Sequence, residues 1–353
     1  MAISRGTRWF AKGSLMVLAI YLGSTYLIRY ALSPPSITKE SAAPKKIKQP
    51  PENEARFRAS FAGGKQALSD GSYATALDNF LEAERSTDQL TDDQYNALKE
   101  ARLQIARLYE SAGDNPAANT AYRPLADCAN RDGNALFQAK DYESAVKRAQ
   151  DGEEFSNHLA EGKRESLQSS LFLLSNSLNR LHRYPEAADA AQRLIDYLKT
   201  VDEYDQDLGQ AYSMLAGIQG DAKDWPAMDQ ALTQYIDWCD RTHDYLTRES
   251  RGPFIDTTIP RSWAQYNLII ARYQEGDPDD ALSKADDFFT EYLHKEMDAT
   301  PTRPLNVAFH SGDFAALALQ IAKESNRQNA IDLWQKRALG GIKIIALHPS
   351  GTQ

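Results

Sequence analysis

"RLHRYPEAADAAQRLIDYL", residues 180–198, holds two helical patterns joined by a turn. After the turn, small and apolar residues fall at Ala187, Ala190, Ala191, Leu194, Ile195 and Leu198, the spacing of one helix face. Pro185 stands just ahead of that run, where its missing N–H and fixed φ suit the first turn of a helix. The pairing of an aromatic residue with Pro returns 41 residues later, as Trp225 and Pro226 in "DWPAMDQALTQYIDWC". A recurrence of this kind is architectural. On this reading "RYPEA" is a hairpin corner, and His182 and Tyr184 are punctuation rather than chemistry.

Aligning "LLSNSLNRLHRYPEAADAAQRLIDYL" from Leu173 with "MLAGIQGDAKDWPAMDQALTQYIDWC" from Met214 superposes apolar, small, aromatic and Pro positions without a gap. The same grammar runs through "GGKQALSDGSYATALDNFLEA" from Gly63, "IARLYESAGDNPAANTAYRPL" from Ile105 and "ALFQAKDYESAVKRA" from Ala135. It returns in "LIIARYQEGDPDDALSKADDFF" from Leu268 and "ALQIAKESNRQNAIDLWQKRA" from Ala318. An Ala opens the second helix of each unit, at Ala76, Ala118, Ala145, Ala187, Ala281 and Ala330, with Met228 filling the slot in the fifth. First helices answer with Gly64, Ala106, Ser175 and Ala216, because antiparallel helices approach closely only where one offers a small residue. Ala76 and Ala118 are 42 residues apart, as are Ala145 and Ala187, while Ala187 and Met228 are 41 apart.

These residues resemble the tetratricopeptide repeat family, in its variant with longer helices, over Ala55 to Leu339. The resemblance implies an all-α fold, a right-handed superhelical solenoid of about seven antiparallel hairpins, each burying its apolar face on the next. Two units depart from the period. Only 27 residues separate Ala118 from Ala145, which predicts a short first helix around Ala129–Gln138, with Pro124 and "NRDG" marking the join. The 53 residues from Met228 to Ala281 make the sixth unit long, the surplus being "RESRGPFIDTTIP" from Arg248. After Gly340 and Gly341, "IKIIAL" is expected to cover the last hairpin, or else to serve as a docking strand.

Of the 353 residues 42% are apolar and 25% charged, and the mean hydropathy of −0.56 leaves room for no more than one membrane span. The net charge of −9 is unevenly spread: the first 50 residues hold eight Lys and Arg against Glu40 alone, so the remainder, with 32 basic and 48 acidic residues, stands at −16. So acidic a body repels phosphate backbones, which excludes nucleic acid and favours a protein or peptide partner, a basic surface suiting it better. From Gly13 to Ile28 no charge occurs, and Phe10–Leu32 as a helix measures about 34 Å against a hydrocarbon core of about 30 Å. The chain accordingly divides into a basic flank (1–9), a transmembrane anchor (10–32), a Pro- and Lys-rich linker (33–54), the repeat domain (55–340) and a C-terminal cap or tail (341–353). A cleaved signal peptide ending near Ala31–Ser33 competes with the anchor but meets Pro34, and a mitochondrial presequence stays open because no acid precedes Glu40. Charge flanking predicts a single-pass membrane protein with its body in the periplasm, a cytosol-facing body being the alternative.

No HExxH, GxSxG, CxxC or GxGxxG pattern occurs, and the six His are scattered, so we expect no enzyme, metal or cofactor. Cys128 and Cys239 lie in helical stretches and read as packing thiols. By the resemblance, a concave groove is lined by first-helix residues, the candidates being Lys65, Arg107, Asn176, Asn179, Trp263, Tyr266 and Tyr273. Lys65 has no Asn one turn away, so the carboxylate clamp of some family members does not transfer. The expected function is a membrane-tethered scaffold that binds a protein partner for assembly of an envelope complex. The alternatives are a periplasmic chaperone holding unfolded clients and a mitochondrial import receptor.

Overall fold

The computed structural model describes residues 50–87, 90–160, 162–202, 204–248, 257–298 and 309–347. Among the described residues there are thirteen helices and no strand. They are α1 (Pro51–Ser69), α2 (Tyr73–Arg85), α3 (Asp92–Ser111), α4 (Asn115–Gln138), α5 (Tyr142–Asn157), α6 (Lys163–Arg180) and α7 (Tyr184–Val201). Then follow α8 (Gln206–Ala222), α9 (Trp225–Arg248), α10 (Thr258–Gln274), α11 (Pro278–Asp298), α12 (Ser311–Glu324) and α13 (Gln328–Leu347). Each helix packs on the next in the chain, so the body is an all-α solenoid of stacked hairpins.

Every hairpin corner is built the same way. One residue takes a left-handed conformation two positions before the second helix begins: Gly71, Gly113, Lys140, His182, Lys223, Gly276 and Asn326. The following N–H then reaches back five residues to the carbonyl of the first helix, as Ser72 to Ala67 at 2.8 Å, Arg183 to Leu178 at 2.9 Å and Asp277 to Arg272 at 3.2 Å. That same residue opens the next helix, its carbonyl accepting from the residue four ahead, as Arg183 does from Ala187 at 3.0 Å. At four corners it is an aspartate whose carboxylate caps the new helix: Asp114, Asp141, Asp224 and Asp277 accept from Ala117, Ser144, Ala227 and Asp280. Tyr73, Tyr142, Tyr184 and Trp225 are each the first residue of a second helix, and His182 Nδ1 lies 2.7 Å from the Tyr184 hydroxyl.

Between the paired helices, small residues set the distance. Ala76, Ala106, Ala145, Ala187, Ala216 and Ala281 are fully buried, and Ala118 and Gly64 are buried as well. The Ser175 hydroxyl donates to the Ala187 carbonyl at 2.8 Å, a direct side-chain bond from α6 to α7. A β-carbon on Gly64 would run into the Phe80 ring, and one on Gly209 would stand 2.5 Å from Trp238. Both glycines are therefore required by helix contact.

The short first helix expected in the third unit is absent, because α4 runs unbroken through Pro124 and "NRDG". It serves twice, packing against α3 and also against α5 and α6. Proline is tolerated because the helix is held from both sides: Leu125, Ala126, Ala129, Asn130, Asp132 and Gly133 are all buried. In the seventh hairpin the corner at Asn326 places Ile331, not Ala330, in the slot of Ala187, and Ala330 is only half-buried. "IKIIAL" continues α13 to Leu347 rather than forming a strand. Of the surplus loop, residues 249–256 lie outside the described residues.

The expectation of a single-pass membrane protein with a periplasmic body is corrected. Among the described residues no helix is long and apolar enough to cross a membrane. The longest, α4 and α9, have 24 residues each and are interrupted by Arg123, Asp127, Arg131 and Asp132, and by Asp229, Asp237, Asp240 and Arg241. The stretch 10–32 that carried the expected anchor lies outside the described residues.

Two substitutions test the corner and the contact. Gly209→Ala must displace Trp238 and is expected to lower stability by about 1–3 kcal/mol. Lys223→Gly relieves a left-handed Lys with φ of 59° and is expected to raise stability by about 1 kcal/mol. Urea titrations followed by circular dichroism read both, with opposite signs.

Candidate partner-binding face

The candidate residues lie on four first helices, α1, α3, α6 and α10. Lys65 on α1 is exposed, its ammonium 5.9 Å from the Phe61 ring. Arg107 on α3 is exposed and lines a shallow depression of about 400 Å³ with Glu100, Leu103, Gln104, Leu108 and Ser111, all on that one helix. Asn176 and Asn179 sit on α6: Asn176 is exposed, donates to the Phe172 carbonyl at 2.8 Å and lies 3.6 Å from the Met214 sulfur. Asn179 donates to Asp221 at 2.9 Å, while its amide oxygen is shielded and has no donor.

On α10 the aromatic candidates turn inward. Trp263 is buried with its ring edge-on to Tyr235 at 6.2 Å. Tyr266 stacks on Phe309 at 4.6 Å and leans on Phe314 at 6.1 Å. Tyr273 is half-buried and donates to Glu324 at 2.9 Å, joining α10 to α12. The structure thus brings Asn176 and Asn179 together with α8, leaves Lys65 and Arg107 on separate helices, and uses Trp263 and Tyr266 for packing. It also shows outward residues that the sequence reading passed over: Gln210, Ser213, Met214 and Gly217, on one face of α8. Their helical spacing was the available signal.

Lys65, Arg107 and Asp221, the acceptor for Asn179, keep charge on this face, and elsewhere charge is paired between helices. Ion pairs link successive hairpins: Arg193 with Glu153, Arg164 with Asp205, Arg183 with Glu143 at 3.7 Å, Arg272 with Asp229 at 2.8 Å and Arg327 with Asp279 at 2.8 Å. Around the doubled helix the pairs go underground. Glu84 receives Arg102 at 2.5 Å and Arg131 at 2.7 Å, with Glu84 and Arg102 both buried. Arg148 donates to Asp132 at 2.7 Å and to Asp92 at 2.5 Å, and its guanidinium lies 3.6 Å from the Tyr95 ring centre. Burial works against the Arg148 charge, yet Asp132, Tyr95 and Asp92 hold its pKa above the ordinary value.

Burial pushes the Cys128 thiol up to about 12 and the Cys239 thiol upward too, so neither offers a thiolate near neutral pH. Hydrogen bonds from His158 and Tyr122 hold Glu110 below the usual carboxylate range, with the His158 and Tyr122 rings stacked at 4.3 Å. That group ties the ends of α3 and α5 to α4. Among the described residues no group of three or more His, Cys, Asp or Glu side chains is placed to hold a metal ion.

No family model and no curated protein matches the chain. Solved structures resemble it loosely. BtubC (BKLC) from P. vanneervenii is 14% identical over 85% of this chain and 95% of its own, with a TM-score of 0.38. A Rap protein complexed with competence and sporulation factor is 13% identical over 83% and 77%, with a TM-score of 0.35. A tetratricopeptide repeat protein from Parabacteroides merdae is 11% identical over 81% and 93%, with a TM-score of 0.28. Likenesses this distant carry no functional argument.

Arg261 gives this half of the array a pH signature. It donates to Asp240 at 2.6 Å and Glu291 at 2.7 Å, and Lys295 meets Glu291 at 2.6 Å. Burial raises the Glu291 pKa, but Lys295 and Arg261 outweigh it and the net shift is downward. A depressed carboxylate contributes stability above its unfolded pKa of about 4.3 and loses it as pH falls through the folded value. Glu291→Gln is therefore expected to lower stability by about 1–2 kcal/mol at pH 7. Urea midpoints of wild type and variant should converge as the pH is taken toward 3.

Proposed function

We propose that the chain is a protein-interaction scaffold whose first-helix face holds a polypeptide partner, by binding rather than catalysis. The observation that carries this reading is the division of labour among side chains. Corners and inner faces take up the small and most of the aromatic residues, while the α6–α8 face carries amides, hydroxyls, Met214 and the exposed Asp221, with Asn176 and Asn179 reaching across to Met214 and Asp221. Such a face, repeated hairpin after hairpin, is a surface for an elongated ligand.

A chaperone for unfolded clients is not favoured by the surface. The large apolar residues that stand exposed among the described ones, Leu108, Val201, Met297 and Leu333, are on four different helices and form no broad apolar patch. A basic partner is compatible with the acidic second helices and, on the α6–α8 face, with the exposed Asp221.

Site-directed photocrosslinking tests the scaffold reading. A photoreactive residue at Ser169 or Gln274, on first helices, should give discrete polypeptide adducts in cells expressing the full chain. The same probe at Asp196 or Asp237, exposed on second helices, should give few. Equal labelling at all four positions, or none at any, would count against it.

A further inference from the structure

One joint between hairpins departs from the others. Of the consecutive helices, α2 and α3 bring their backbones together least. Long side chains cross the space instead. Tyr73, at the start of α2, meets Tyr109 of α3 edge-on with ring centres 5.7 Å apart. Glu84, in the last turn of α2, receives Arg102 of α3 at 2.5 Å and Arg131 of α4 at 2.7 Å. The bridging pairs of later joints, such as Arg193 with Glu153 and Arg327 with Asp279, keep contact with water. Here Glu84 and Arg102 are only 3% and 1% exposed.

A second, independent observation concerns how well this joint is satisfied. Arg102 bonds through Nη1 alone, while its Nε and Nη2 are shielded from solvent and have no acceptor. The guanidinium has given up hydration on all its nitrogens for one bond, so its attraction to Glu84 does little more than offset the cost of burying both charges. When α2 moves away, both groups regain water. Inside the hairpin the balance is different. The backbones of α1 and α2 run close together, Phe80 fills the space over Gly64, Phe61 lies 5.5 Å from Phe80, and Phe57 stacks on Phe61 at 5.7 Å. The two helices hold each other more closely than α2 holds α3.

We infer that the α1–α2 hairpin is a hinged unit, latched onto α3 and α4 by Glu84 between Arg102 and Arg131, and that it opens as one body while the later helices stay folded. Segments with little close contact to their neighbours open at lower free energy than the rest of a fold. A buried ion pair suits a latch, because it is satisfied in one closed geometry and costs little to release into water. Opening moves Lys65 of α1 relative to Arg107 of α3, so it changes the first-helix face at this end of the array. The inference stands whatever the array binds.

Hydrogen exchange read by mass spectrometry on the full chain tests this, with the variants Glu84→Gln and Arg131→Ala and, as control, Arg193→Ala at a later joint. In wild type the amides of α1 and α2 are expected to exchange together, about tenfold or more faster than those of α6–α9. Glu84→Gln leaves Arg102 buried without a counter-charge and should speed exchange in α1 and α2 by about a further tenfold, with α6–α9 changed by less than about twofold. Arg131 is exposed, so Arg131→Ala spares the fold and should speed the same two helices by about threefold. It carries the test where Glu84→Gln does not fold. Arg193→Ala should leave α1 and α2 as in wild type. Exchange in α1 and α2 as slow as in α6–α9 would overturn the inference. So would an effect of Glu84→Gln or Arg131→Ala spread evenly over the array, which would make the ion pairs a support of the whole fold. Faster exchange in α2 without α1 would show that the hairpin does not move as one body, and defeats it equally.

Discussion

A hairpin of long helices exists only if the first helix can stop and the second can start within a few residues, with no main-chain group left wanting. The N–H that reaches back five residues across a left-handed one does this at all seven corners. Without it, carbonyls at the end of each first helix would lose their partners, at about 1–3 kcal/mol for each buried one. Because the donating residue also begins the next helix, the two axes are set relative to each other by a single peptide unit. Glycine or asparagine fills four of the left-handed positions, where the conformation is easy. Lys140, His182 and Lys223 hold the other three at a cost of about 1 kcal/mol or more, and His182 is steadied by the Tyr184 hydroxyl.

From this constraint the irregular third unit follows. Two corners, at Gly113 and Lys140, are only 27 residues apart, too few for two separate helices of the usual length and a connection. One helix therefore spans both and belongs to two hairpins. Its doubled use brings α3 within reach of α5, so that Tyr95 and Lys99 bond to Asp151, and Asp92 to Arg148. Buried ion pairs of this kind stabilise little against an apolar core of equal volume, but each is satisfied only in one arrangement. The polar seam thus fixes how the doubled helix sits between its neighbours, where apolar packing alone would tolerate sliding.

The hairpins were legible because close helix contact admits few residue types. Ala76, Ala118, Ala145 and Ala187 are buried at the second-helix positions their spacing indicated, while Tyr184 and Trp225, read as part of the corner, stand as the first residues of the second helices. What was not legible depends on neighbours distant in sequence. Pro124 reads as a breaker, and only burial of the helix on both sides keeps it whole. Ala330 resembles the other alanines, yet the corner geometry counts to Ile331. Trp263 and Tyr266 stand on a first helix at ligand-facing intervals, but Tyr235, Phe309 and Phe314 claim them. Gly209 and Gly217 cannot be told apart until Trp238 is seen against one of them and nothing against the other.

Withdrawal of the α10 aromatics into packing changes the kind of recognition this face can offer. Interfaces that rely on a few anchors place aromatic or Arg side chains in central pockets, and each anchor contributes a large share of the affinity. Here the outward positions of α6 and α8 hold amides, a hydroxyl, a thioether and a bare glycine backbone, none of which binds strongly alone. Affinity on such a surface has to accumulate over length, hairpin by hairpin. Stacked repeats suit that requirement, because each added hairpin extends the same face without altering the corner that builds it.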